Sequence, residues 1–106
     1  MSVPEISVQE LQALRESHAD FILVDVRDQW EYEICNLGGR LIPYRDLPLR
    51  FEELDKTKQI VVHCQMGGRS SRATAFLIEQ GYTQVFNLHG GIKAWTNEID
   101  PKLAQY

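Results

Sequence analysis

The pattern of apolar and polar positions along the chain predicts short buried strands that alternate with helices. Residues 21–24 form a continuous apolar run of strand length, and residues 59–63 contain the β-branched run Ile60-Val61-Val62. Further strands are expected at residues 85–88 and, more briefly, at residues 40–42. Between these runs the apolar spacing becomes helical. Because helices that connect successive strands align them in one direction, we expect an α/β fold with a mostly parallel central sheet flanked by helices.

Capping signals set the expected helix starts. Ser7 and Glu10 have the spacing of a capping box and open a helix over residues 8–17, and Asp28 and Glu31 open a short one that ends near residue 34. Three further helices are predicted: residues 46–54, residues 92–97, and a helix from a cap at Ser70 or Ser71 to Gly81.

Length and composition narrow the class of protein. A chain of 106 residues with 43% hydrophobic and 25% charged residues fits one globular domain, residues 1–106. The formal charge of -4 and the scattered Lys and Arg argue against nucleic acid as a partner. No apolar run is long enough to cross a membrane, and the N-terminus lacks the pattern of a signal peptide. We therefore expect a cytoplasmic protein.

The two cysteines, Cys35 and Cys64, are expected to be free thiols in that reducing compartment. Together with the histidines they show no metal-ligand spacing, so we predict no metal site. Cys64 has the more informative context, because it follows a predicted strand and precedes Gly67 and Gly68 at a predicted helix start. Backbone N–H groups and the helix dipole at such a place bind anions and lower the pKa of a thiol. The alternative is a small buried side chain with no chemical role.

The loop Cys64-Gln65-Met66-Gly67-Gly68-Arg69-Ser70 favours sulfur over phosphorus. Cysteine phosphatases need an arginine at the position that Ser70 occupies, and here Arg69 comes one residue too early. The shorter loop suits one extra sulfur atom better than a tetrahedral phosphate. No aspartate is well placed in the sequence as a general acid. A cysteine phosphatase or arsenate reductase stays open as an alternative on this spacing.

This loop resembles the C-x-x-G-x-R-S active-site loop of rhodanese (sulfurtransferase) domains. VDVR at residues 24–27 with EY at 31–32 is similar to the upstream signature of that family, and LHGGIKAW at 88–95 to its downstream one. The tail after Trp95, through an Asp-Pro pair to Tyr106, resembles the C-terminal rhodanese domain of the E1-like adenylyltransferases of molybdopterin and thiamine biosynthesis.

The resemblance implies a rhodanese-like three-layer fold and a persulfide relay. Cys64 would take a sulfane sulfur from thiosulfate or a protein persulfide, and N–H groups of residues 65–70 would hold it for a nucleophilic acceptor. In the fused subgroup the acceptor is a ubiquitin-like sulfur-carrier protein activated by the adenylyltransferase domain. No metal or organic cofactor is implied. The alternative is a catalytically silent rhodanese-like interaction module.

Residues around the loop carry weaker expectations. Asp25 and Arg27 are expected to form a supporting hydrogen-bonded pair, while Arg69 either contacts the sulfonate of a donor or braces its own loop. Cys35 is expected in the core, with a resolving disulfide to Cys64 as the lesser alternative. Residues 35–40 lack the histidine that is usual in the family, so no catalytic role is assigned there.

Other side chains are given structural roles. Arg72 is expected at the surface, His89 beside a turn, and His63 has no base role that its neighbours support. The remaining aromatic residues considered are expected to pack in the core or against turns: Trp30, Tyr32, Phe86 and Trp95.

Overall fold

The computed structural model describes residues 2–106 and contains a five-stranded sheet covered by helices on both faces. In chain order the elements are β1 (Glu5–Ile6), α1 (Val8–Glu16), β2 (Phe21–Asp25), α2 (Gln29–Ile34), β3 (Arg40–Leu41), α3 (Leu47–Arg50), β4 (Gln59–His63), α4 (Gly68–Glu79), β5 (Val85–Leu88) and α5 (Gly91–Glu98). The strand order is β1-β5-β4-β2-β3, and each neighbouring pair is parallel. The predicted α/β fold is confirmed.

The central strand β4 shows why the sheet has three layers. Ile60 and Val62 pack into the cluster that includes Leu77 of α4, whereas Val61 points to the opposite cluster, which includes Leu11 of α1. All of these side chains are fully buried. Alternate residues of a strand face opposite sides of the sheet, so an unbroken apolar run is what two covered faces require.

Two elements differ from the sequence prediction. The two-residue strand β1 was not predicted, because so short a segment carries no periodic signal; it pairs with the outer edge of β5. The helix expected over residues 46–54 is wrong as a single element. It is the short α3 between two 3-10 turns, Tyr44–Asp46 and Phe51–Glu53, and the backbone leaves the helical region at Arg50, with a φ of -124°.

The predicted cap of α4 at Ser70 or Ser71 is wrong. The helix begins at Gly68, with Gly67 at the N-cap position in the left-handed region. The Ser71 N–H already donates to the Gly67 carbonyl at 3.0 Å, so Ser71 lies within the first turn. The start of α4 therefore lies directly against the residues that follow β4.

The expectation of a buried or turn-packed Trp30 is also wrong, since this side chain is 57% exposed. It contacts Tyr106 edge to face, with ring centroids 5.6 Å apart. Trp95 is buried, and Tyr32 and Phe86 are half-buried, as expected. Among residues 2–106, none of the helices is long and apolar enough to cross a bilayer.

Candidate active site

Cys64 lies at the carboxyl end of the central strand, under the loop that leads into α4. Its side chain is buried, at 2% exposure. The loop turns through Gly67, whose φ of +113° favours glycine, and this turn brings the Gly67 N–H to 3.1 Å from the Cys64 sulfur. The Ser70 hydroxyl lies 3.3 Å from the same sulfur. The sulfur thus sits in a cup of hydrogen-bond donors.

The cup makes the Cys64 thiol easier to ionise. Burial alone raises the pKa of the thiol, because a thiolate loses its hydration. The Ser70 hydroxyl and the backbone N–H groups of Ser70, Gly67 and Met66 act in the other direction and outweigh burial, so that the pKa lies below its ordinary value. The predicted direction is confirmed.

The start of α5 holds the other side of this loop. The N–H groups of Ile92 and Lys93 donate to the carbonyl oxygens of Cys64 and Gln65, each at 3.0 Å. Gly91 permits this approach, because a Cβ there would lie 2.7 Å from the Cys64 carbonyl oxygen. With its carbonyls turned toward α5, the loop can turn its own N–H groups toward the sulfur.

Arg69 leaves the cup and pairs with Glu31 of α2. Its two terminal nitrogens lie 2.7 and 2.9 Å from the two carboxylate oxygens, and Glu31 is only 3% exposed. The Arg69 guanidinium holds the pKa of Glu31 at about 2. Because the pair ties the start of α4 to α2, it favours the bracing role of Arg69 over contact with a donor.

The C-terminal segment, residues 99–106, contacts the pair of Arg69 and Glu31 through Tyr106. The Tyr106 hydroxyl donates to Glu31 at 2.6 Å and accepts from Arg27 at 3.0 Å. Burial and the bond to Glu31 raise the pKa of Tyr106 to about 12. The Gln65 side-chain amide donates to the Tyr106 carbonyl at 3.1 Å. The segment is thereby attached to both α2 and the Cys64 loop.

The predicted pair of Asp25 and Arg27 is present and fully buried, with a shortest separation of 2.8 Å. Arg27 also donates to the Cys35 carbonyl at 2.7 Å, which fixes the chain after α2. Cys35 is buried, as expected, and both cysteines are free thiols. Among the described residues, neither member of the pair forms a hydrogen bond to residues 64–70. The contacts of the pair are therefore with the chain after α2 and with Tyr106, not with the Cys64 loop.

His63 lies beneath the loop and is completely buried. Its Nδ1 is 3.3 Å from the Cys64 carbonyl oxygen, while Nε2 has no hydrogen-bond partner among residues 2–106 and lies 3.7 Å from a carboxylate oxygen of Asp25. Burial lowers the pKa of this imidazole, which keeps the ring neutral at physiological pH. Arg72 is exposed, as expected, and His89 is also exposed, beside the turn at Gly90.

The loop residues predicted as a site have different positions. Gly67 and Ser70 contact the sulfur, Gly68 starts α4, and the Met66 side chain is 63% exposed at the mouth. Within residues 2–106, His, Cys, Asp and Glu form no group of three or more suited to a metal ion.

Sequence reasoning missed three residues of the site. Glu31 was explained as half of a capping box, and its carboxylate does accept from the Asp28 N–H at 3.0 Å. That local role gave no sign of the ion pair with Arg69. Tyr106 was noted only as part of a tail, and Asn87 only as a strand residue. Asn87 is buried and accepts from the Ser70 hydroxyl at 2.5 Å.

Comparisons with known proteins agree with this geometry. A family model described as rhodanese-like domain matches residues 7–98. A sulfurtransferase of Allochromatium vinosum is 36% identical over 103 residues, which cover 96% of each chain. The adenylyltransferase and sulfurtransferase UBA4 of Lodderomyces elongisporus is 35% identical; the match covers 95% of this chain but only 25% of that protein. A rhodanese-related protein of Thermoplasma volcanium has a TM-score of 0.83 at 26% identity, over 92% of this chain and 94% of that one.

Proposed function

The chain belongs to the family of rhodanese-like domains, and from this we propose that it is a sulfurtransferase that carries sulfane sulfur on Cys64. The observation that carries the proposal is the cup around the Cys64 sulfur. The thiol has a lowered pKa, and the Gly67 N–H and the Ser70 hydroxyl lie 3.1 and 3.3 Å from its sulfur, where they can donate to a thiolate. Such donors stabilise an anion on sulfur, and they serve a thiolate and a persulfide alike.

The reaction needs two displacements at sulfur. The Cys64 thiolate attacks the outer sulfur of the donor, a new S–S bond forms, and the old bond breaks with its electron pair on the leaving group. That group is sulfite from thiosulfate, or a thiolate from a protein persulfide. A nucleophilic acceptor then attacks the outer sulfur of the Cys64 persulfide and restores the thiolate. Splitting the transfer in this way is covalent catalysis.

The position of Arg69 supports sulfur over phosphorus. A phosphatase loop must aim its arginine at the phosphoryl oxygens, whereas both ends of the Arg69 guanidinium are bound to the buried Glu31. The resident donors of the cup are neutral, which suits one singly charged sulfur.

For the acceptor we propose a ubiquitin-like sulfur-carrier protein that an adenylyltransferase domain has activated. With this acceptor the terminal sulfur of the Cys64 persulfide is the nucleophile: it attacks the activated acyl carbon, and AMP leaves with the electron pair of the broken bond. Two external thiols, which are oxidised to a disulfide, then reduce the acyl disulfide to the thiocarboxylate and the Cys64 thiol. The match to one quarter of UBA4, a protein named for both activities, supports this pairing.

We also propose a cytoplasmic location. The two free thiols are consistent with a reducing compartment.

The test is to load the reduced protein with thiosulfate, and separately with a small-molecule persulfide, and to measure intact and peptide masses without reductant. We expect a gain of one sulfur atom on the Cys64 peptide that a thiol reductant removes. Cys35→Ser should load normally and Cys64→Ser should not. A protein that loads with neither donor, although its Cys64 thiol reacts with an alkylating agent, would be a silent interaction module.

A further inference from the structure

The Ser70 hydroxyl lies between two acceptors. Its oxygen is 2.5 Å from the side-chain oxygen of Asn87 and 3.3 Å from the sulfur of Cys64. A serine hydroxyl has one hydrogen and can donate it to one acceptor at a time. The shorter separation favours Asn87, which leaves a lone pair of the Ser70 oxygen facing the sulfur.

The amide of Asn87 is fixed in this orientation. Asn87 is 2% exposed on β5, and its side-chain nitrogen donates to the Glu5 carboxylate at 3.1 Å and to the Gly67 carbonyl at 3.4 Å. Both of those partners only accept hydrogen bonds, so the amide NH₂ must face them. The amide oxygen consequently faces Ser70 and must receive its hydrogen.

We propose that Asn87 is a positioning residue that competes with the Cys64 sulfur for the single hydroxyl hydrogen of Ser70. While Cys64 is a thiol, the Ser70 hydrogen bonds to Asn87 and the S–H can donate to the Ser70 oxygen. When the thiol proton leaves for solvent or buffer, the Ser70 hydrogen turns to the thiolate and Asn87 loses its donor. The hydroxyl thus moves between two hydrogen-bonded states, and no covalent bond other than S–H changes.

This competition holds back the ionisation of Cys64. The thiol form is stabilised because its S–H donates a hydrogen bond to the Ser70 oxygen. The thiolate form is less favourable because the hydrogen bond from Ser70 to Asn87 is lost when it forms. Loss of the Ser70 side chain and loss of the Asn87 side chain should therefore shift the pKa of the Cys64 thiol in opposite directions, although the two side chains are in contact. The inference rests on the proposed role of Cys64 as the nucleophile, but ionisation can be measured without any sulfur donor.

Other titratable groups surround the loop and are not substituted in the test. They come from α4, α2, β4, β2 and the residues after it, β1, and the C-terminal segment: Arg69, Glu31, His63, Asp25, Arg27, Glu5 and Tyr106. Their contribution cancels when variants are compared with the parent protein, except that Glu5 loses the hydrogen bond from Asn87 in Asn87→Leu. The Ser70→Ala background contains the same loss and therefore separates it from the competition for the Ser70 hydrogen.

The experiment measures the pH midpoint of alkylation of Cys64, followed on its own peptide. Asn87→Leu keeps the branched shape and removes the acceptor, so the midpoint should fall by about half to one pH unit. Ser70→Ala removes a donor to the thiolate and should raise it by about as much. In the Ser70→Ala background, Asn87→Leu should cause no further shift.

Asn87→Asp should shift the alkylation midpoint in the opposite direction to Asn87→Leu. A carboxylate keeps the acceptor and adds a negative charge near the thiolate, so the midpoint should rise. If Asn87→Leu does not fold, judged by circular dichroism, Asn87→Ala and Asn87→Asp give the same pair of signs. A rise with Asn87→Leu or Asn87→Ala, or a shift that persists without Ser70, would overturn the proposal. Asn87 would then act only by holding the Gly67 carbonyl. If the alkylation midpoints shift as expected but the protein takes up no sulfur from either donor, the proposed sulfurtransferase function is contradicted and the inference about Asn87 is supported.

Discussion

The connections from β4 to α4 and from β5 to α5 are built alike and lie side by side. In each, a strand ends, a glycine with positive φ follows, and a helix begins: Gly67 has a φ of +113° and Gly90 one of +76°. The first connection surrounds the Cys64 sulfur with donors. The second directs its free N–H groups to the carbonyls of Cys64 and Gln65. The two connections are thus built alike but make different contacts: the first surrounds a sulfur atom, and the second binds the backbone of the first.

The residue after each strand makes the difference. Cys64 is buried at 2% exposure beneath its loop, whereas the side chain of His89, at the matching place after β5, is 76% exposed. Both helices offer a positive N-terminus, but only one is aimed at an ionisable side chain. A helix start is therefore not sufficient to build the cup around Cys64; a buried thiol and a loop that its neighbour holds in place are also needed.

The largest contrast should come from the two strand ends. Cys64→Ser should abolish sulfur loading, because a hydroxyl cannot form the persulfide. His89→Ala should leave most of the loading intact, since that side chain lies outside the cup. Both variants can be measured by peptide mass after exposure to the same donor. Equal losses in both would show that the second connection takes part in the chemistry.

The glycines of the two connections give the next largest contrast. Gly91→Ala should destabilise the protein by about 2 kcal/mol or more, because the position has a φ of +62° and a Cβ would lie 2.7 Å from the Cys64 carbonyl oxygen. It should also slow Cys64 alkylation by disturbing the loop.

Gly68→Ala is the matched control in the first connection. A Cβ at Gly68 would meet nothing within 4 Å in the described part of the chain, so the free energy of unfolding of this variant should stay within about 0.5 kcal/mol of the parent. Urea denaturation measures both variants. Similar values for the two would contradict the supporting role assigned to the start of α5.

The ion pair that ties the first connection to α2 should have a smaller, pH-dependent effect. Glu31→Gln should lower the free energy of unfolding by about 2 kcal/mol at neutral pH, because Arg69 and Tyr106 lose a buried charged partner. The pKa of Glu31 is lowered from 4.5 to about 2, so this contribution is present above pH 4.5 and is lost as the pH falls toward 2.

Denaturation curves of Glu31→Gln and the parent at several pH values measure this difference, which should shrink on acidification. Glu53→Gln, at a surface pair with Arg40 and Arg50, is the control and should change stability little at any pH. A Glu31→Gln difference that is constant down to pH 2 would mean that the carboxylate charge is not what stabilises the link.

Local signals made the frame of the fold predictable. The apolar run at β4 and the glycines after Cys64 each mark one segment, and the parallel sheet follows from their order. The donors around Cys64 could be anticipated because strand, loop and helix are adjacent in sequence. The cap of α4 could not be anticipated. Ser70 is a residue type that often caps helices, but its side chain instead forms a hydrogen bond to a buried residue of β5.

The parts of the site that escaped prediction join residues far apart in the chain. Glu31 and Arg69 are separated by 38 positions, and Tyr106 and Glu31 by 75. No periodicity or motif reports such contacts, because they exist only after the strands have been ordered. Trp30 was misplaced for the same reason: its exposed ring is covered in part by the C-terminal segment, not by the core.

The most direct test is the ionisation of Cys64 in the folded and in the urea-unfolded protein. Alkylation of the Cys64 peptide, followed against pH, should have its midpoint well below about 8.5 when the protein is folded and near that value when it is unfolded. That result would show that the cup built by the first connection and held by the second stabilises an anion on sulfur. A folded midpoint at or above that of the unfolded chain would contradict the account.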